Sequence, residues 1–136
     1  MFSQNRDQLR QVFQASWDKY RQQQPLQGIE SLIVTVIQQH PEYQPLFTDP
    51  DALHQDYTQQ TNPFLHMGMH ITLAEQLQAD RPNGIRHIYQ SLLKRTPDQH
   101  QVEHQMLDCL AQTLWEAQST QRPPDEAAYL AQLQKI

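Results

Sequence analysis

Two stretches of this chain carry side chains of the types that do chemistry, at spacings that let them act together. In NPFLHMGMHITLAEQ (Asn62 to Gln76), His66 and His70 stand four residues apart. On a helix, ~100° per residue turns both imidazoles the same way, with their Cβ atoms ~6 Å apart. One metal ion can then touch both rings. In HQVEHQMLDCL (His100 to Leu110), the ligand types are His100, Glu103 and His104. A histidine three residues before a glutamate reverses the Glu-x-x-His order used in carboxylate-bridged helical bundles. If the two stretches face one another, three or four nitrogen and oxygen ligands converge on one cation, a donor set suited to zinc, iron, manganese or nickel. Asp108, four residues after His104, is placed to hold that ring from behind. A metal with an open position would activate water or a small substrate, as in a hydrolytic or redox enzyme.

The same residues support other readings. A buried imidazole without partners costs a few kcal/mol. His66 or His70 bonded to Glu103 would remove that cost and fix helix register with no metal at all. The protein would then be a non-enzymatic interaction or structural protein, as a homodimer for instance. A third reading is a small-molecule pocket lined by Met67, Met69, Trp115 and the histidines. No metalloenzyme signature decides among these: His66-Met67-Gly68-Met69-His70 has the two histidines of HExxH but lacks the glutamate that serves as its base.

The elements that must position these groups are helical. Thr61 to Ala79 opens with Asn62 as a cap and Pro63 at the first position, where a missing N–H costs nothing. Its expected apolar face joins His66 and His70 to Leu73, Ala74 and Leu77, with Gly68 opposite. Before it, Ser3 to about Gln24 repeats Leu9, Val12, Phe13, Trp17 and Tyr20 at helical spacing. Gly28 to Gln39 does so with Ile29, Leu32, Ile33, Val36 and Ile37. His40-Pro41 ends that helix, because the residue before proline leaves the helical region. Glu42 to Gln60 reads as irregular, with one short turn after Thr48-Asp49-Pro50 and with Tyr43, Phe47, Leu53 and Tyr57 packing it back. After an Asp80–Gly84 loop, Ile85 to Arg95 is helical. Thr96-Pro97-Asp98-Gln99 starts the next helix, Thr96 capping, which runs to about Gln118. Its inner face is Met106, Leu107, Leu110, Leu114 and Ala117, with Glu103 near the centre. Glu126 to about Gln134 closes the chain with Ala127, Leu130, Ala131 and Leu133 inward. The expectation is an all-α protein, 1–136 as one domain: a bundle of about five main helices with short connecting and C-terminal ones.

The remaining histidines read as bystanders. His40 and His54 fall in a capping or surface position, and His87 points away from the apolar face of its helix. Cys109 reads as a small buried hydrophobe.

Composition narrows the classes further. The 136 residues are 38% hydrophobic and 18% charged, with a net charge of −5. Lysines and arginines are scattered, only Lys94 and Arg95 being adjacent, with no basic stripe for a phosphate backbone, so nucleic acid is not the expected partner. The most apolar stretch, Leu32 to Ile37 with Thr35 inside it, is far short of the ~20 residues a membrane span needs. The first ten residues hold no apolar core of a signal peptide. The single cysteine can form no internal disulfide, so a cytoplasmic setting is expected. Three glycines argue against phosphate-cradling loops.

Taken whole, the chain resembles a bacterial family known as domain of unknown function 1841. NPFLHMGMHITLAEQ, the loop DRPNGI (Asp80 to Ile85), HQVEHQMLDCL and LWEAQ (Leu114 to Gln118) carry the likeness, with RDQLRQVFQASWDKYR (Arg6 to Arg21) and PPDEAAYL (Pro123 to Leu130). The resemblance implies a small bacterial helical protein and brings no activity, substrate or cofactor with it.

Overall fold

The computed structural model of the chain describes residues 6–49 and 62–136. Among them are six α-helices: α1 (Arg6–Arg21), α2 (Ile29–Gln39), α3 (Pro63–Ala79), α4 (Ile85–Arg95), α5 (Gln99–Thr120) and α6 (Glu126–Gln134). A 3₁₀ helix occupies Pro41–Phe47, and no strand occurs among the described residues. The all-α expectation holds. The chain divides into two compact units, Met1–Ile71 and Thr72–Ile136, the division falling inside α3.

In the first unit, α1 contributes Phe13 and Trp17 to a core with Ile33, Val34, Val36 and Ile37 of α2, Phe47, and Phe64, Met67 and Ile71 of α3. Phe64 is its aromatic hub, with ring centroids 6.0 Å from Phe13 and 6.0 Å from Phe47. The buried guanidinium of Arg10 lies 4.7 Å above the Phe64 ring, an attraction worth more in a dry setting than in water. Val12 and Tyr20, expected inside, are exposed. Gln23 takes a left-handed turn (φ 59°) to end α1. Gly28 (φ 56°, ψ −122°) then occupies a backbone region closed to other residues. Lys19 Nζ donates to Glu30 Oε2 at 2.6 Å, which fixes where α2 starts against α1.

Two expectations here are corrected or fall outside the structure. Pro41 to Phe47 is not irregular but a 3₁₀ helix, with Pro41 at its start and Thr48 Oγ1 donating to the Pro45 carbonyl at 2.9 Å. Proline's fixed φ suits the helical region, and a short i→i+3 winding tolerates the missing N–H of Pro45. The expected turn after Pro50, and Leu53, His54 and Tyr57, lie outside the described residues.

α3 starts as the sequence predicts: Asn62 Oδ1 accepts from the amides of Phe64 (3.0 Å) and Leu65 (3.2 Å). Its burial is not one-sided, however. Pro63, Phe64, Met67, Gly68, His70, Ile71 and Leu73 are all buried, while Ala74 and Leu77 are only half-buried. A helix apolar on nearly all sides is a core helix, so periodicity alone could not assign its histidines to one stripe.

In the second unit, Asp80 Oδ1 accepts from the amides of Gly84 (3.2 Å) and Arg86 (3.0 Å) at the start of α4. Arg86 donates back to the last carbonyls of α3, Leu77 (3.1 Å) and Gln78 (2.7 Å), acceptors that a helix end leaves without partners. α5 begins two residues later than expected. Asp98, not Thr96, is its cap, accepting from the Gln101 amide at 3.3 Å. Thr96, held extended before Pro97, instead closes α4. α6 has the expected span but a different inner face: Tyr129 and Leu133 are buried, Ala127 and Ala131 exposed. Tyr129 O–H donates to Gln76 Oε1 at 2.8 Å. Among the described residues no helix is long and apolar enough to cross a membrane.

Candidate metal centre

Three imidazoles meet inside the first unit. α2 delivers the first at its C-terminal end. His40 is 2% exposed, and its Nδ1 lies 2.8 Å from the Val36 carbonyl oxygen. A carbonyl can only accept, so Nδ1 must donate, and the neutral ring keeps its lone pair on Nε2. A backbone carbonyl holding one ring nitrogen while the other is left to bind is the usual support of a metal-bound histidine. Tyr43 of the 3₁₀ helix stacks flat on His40, centroids 5.3 Å apart and planes 8° from parallel, which sets the ring's tilt. Burial, then the charge of Glu42, raises the Tyr43 phenol above its ordinary value.

α3 delivers the other two. His66 and His70 lie one turn apart and turn their Nε2 atoms toward one another at 3.2 Å. Two nitrogens that each sit ~2.0–2.1 Å from one tetrahedral ion are about 3.3 Å apart, so the separation is compatible with two ligands of one ion as well as with a direct hydrogen bond. With no ion between them, one Nε2 must carry a proton and donate to the other. The His40 centroid is 5.1 Å from that of His66 and 4.7 Å from that of His70, edge to face in both cases. One ring nitrogen from each of the three lies within 4.8 Å of the others.

His40 was the member that sequence reading missed. His40 does cap α2, as one half of the expectation has it, but it is not a surface residue: a residue that ends a helix can still turn its ring inward. A signal was present: Ile33, Ile37 and His40 follow the i, i+4, i+7 rule, so His40 prolongs the buried stripe of α2 by one turn.

The other expected ligands belong to α5, in the second unit. His100 and His104 are half-buried neighbours, their centroids 4.1 Å apart. Glu103 Oε1 accepts from the Tyr89 hydroxyl at 3.5 Å and from Gln99 Nε2 at 3.4 Å. Burial, and after it the charge of Glu103, pushes the Tyr89 phenol up to about 12. Asp108 is exposed. Burial also raises the Cys109 thiol, helped by Asp108, which disfavours the thiolate and agrees with a packing role. Trp115, expected as a pocket wall, is 61% exposed. His87 is exposed, as expected.

These features define a class: an all-α protein with a cluster of histidines that could hold a metal ion. The chain belongs to the family described as Domain of unknown function (DUF1841), whose model matches residues 5–135, nearly the whole chain. No curated protein and no solved structure matches it.

Proposed function

We propose that the protein binds one divalent transition-metal ion through Nε2 of His40, His66 and His70. The observation that carries this is the 3.2 Å approach of the His66 and His70 Nε2 atoms, beside a His40 ring whose other nitrogen is committed to Val36. An all-imidazole donor set suits zinc, nickel, copper or iron, and fits manganese less well, because manganese takes carboxylate oxygens more readily. His104 enters the proposal as a further ligand on the strength of the sequence alone. With three imidazoles bound, a tetrahedral ion keeps one position for water and lowers that water's pKa, the starting point of hydrolytic chemistry. With His104 bound as well, the shell is closed and the ion is structural.

The test uses full-length protein without a polyhistidine tag, with metal content measured by mass spectrometry and cobalt(II) titrated in as a spectroscopic stand-in for zinc. One ion per chain, a tetrahedral cobalt spectrum, and loss of both in His66→Ala and His70→Ala are expected. His104→Ala that keeps one ion but shifts the cobalt spectrum identifies that residue as a ligand. Absence of stoichiometric metal, with melting unaffected by chelator, overturns the proposal. It would favour the second reading, a structural role in which the same Nε2 pair is a direct hydrogen bond knitting the core.

A further inference from the structure

A cleft wholly within the second unit has no part in the metal proposal. It lies between the last turns of α3, the turn after it, α5 and the start of α6, with a volume of about 200 Å³. At ~30 Å³ per water, that is room for about seven waters, the scale of a metabolite rather than a peptide. Pro82, Leu110 and Leu114 give it an apolar wall. Beside the hydroxyl residues Thr72, Thr113 and Tyr129, three residues with an amide or a charge line it: Gln76, Arg81 and Glu126.

Each of the three has a defined state. Gln76 accepts the Tyr129 hydroxyl on Oε1, which orients the amide and leaves its Nε2 hydrogens as the groups to offer. The Arg81 guanidinium makes no hydrogen bond or ion pair among the described residues, in contrast to Arg86 and Arg95, which donate to backbone carbonyls. The Glu126 carboxylate is likewise without a partner among the described residues. A cation and an anion thus line one small cleft without pairing with one another.

From this arrangement we infer that the cleft binds a small zwitterion, a free α-amino acid with an apolar side chain. Its carboxylate meets Arg81 and the Gln76 amide, a planar fork being the natural partner of a carboxylate. Its ammonium meets Glu126, and its side chain lies on Pro82, Leu110 and Leu114.

The test is calorimetric titration of the full chain in chelator, so that no amino acid is held by a metal at the histidines. Leucine, valine and methionine are compared with N-acetyl-leucine, which lacks the ammonium, and leucinamide, which lacks the carboxylate. Saturable binding of at least one free amino acid, at least tenfold weaker for both blocked forms, is expected. Arg81→Gln and Glu126→Gln should each weaken it at least tenfold; both side chains are exposed, so the ligand-free melting temperature should not move. No binding by any free amino acid at millimolar concentration overturns the inference. So does equal binding of free and blocked forms, or affinity unchanged in both variants. None of these outcomes bears on the metal proposal.

Discussion

His40 concentrates the argument at the scale of single residues. Its ring touches Tyr43, His66 and His70 and donates to Val36, so His40→Ala removes packing and leaves a buried carbonyl with one donor fewer. A loss of about 2–4 kcal/mol in urea unfolding is expected, the range of a buried large-to-small change, together with at least a tenfold drop in metal affinity. A variant as stable and as avid as the parent would remove His40 from the site. At this scale the sequence was legible where geometry is local. His66 and His70 could be paired on paper because a helix fixes the relation of i to i+4. His40 could not be joined to them, since that requires knowing how the end of α2 meets α3. Of the partners of Glu103, Gln99 stands four residues before it on α5, within reach of the same spacing rule, whereas Tyr89 is chosen by the packing of α4 on α5.

Helix ends carry the lesson at the scale of elements. Asn62 caps α3 where its residue type and position suggest, and Asp125 caps α6, accepting from the Ala128 amide. At Thr96-Pro97-Asp98 two good caps stood two residues apart, and local preference could not choose between them. Asp98 is itself extended (φ −75°, ψ 103°), so no helix can begin at Pro97 and the cap falls to Asp98. Asp98→Ala should therefore lower stability by about 1 kcal/mol, while Thr96→Ala costs clearly less; urea midpoints of the two variants make the comparison, and the reverse order would return the cap to Thr96. The 3₁₀ helix went unread because its two prolines look like breakers. The inner face of α6 was misjudged because alanines fit a buried or an exposed position equally well, and a single tyrosine outweighed them.

For the molecule as a whole, the buried phenols set an alkaline limit. Tyr89 is raised from an ordinary 10.0 to about 12, chiefly by burial and then by Glu103. Tyr43 and Tyr129 are also raised, burial leading in each. Above pH 10 the unfolded chain releases these protons while the folded chain retains them, so the native state binds more protons and stability falls as pH rises. Unfolding free energy should thus begin to decline near pH 10 and fall most steeply between 10 and 12. Tyr89→Phe should flatten part of that slope; an unchanged slope would detach Tyr89 from it. Acid threatens a different part of the molecule, because protonated imidazoles cannot hold a metal and any bound ion should leave as pH drops.

The burial of Phe64, Met67, His70 and Ile71 in α3 has one more consequence. Phe64, Met67 and Ile71 pack in the core beside the helix's two imidazoles, so swinging either ring aside disturbs that packing as well. If an ion binds there as proposed, its exchange is tied to breathing of that interior, and a competing chelator should strip it slowly.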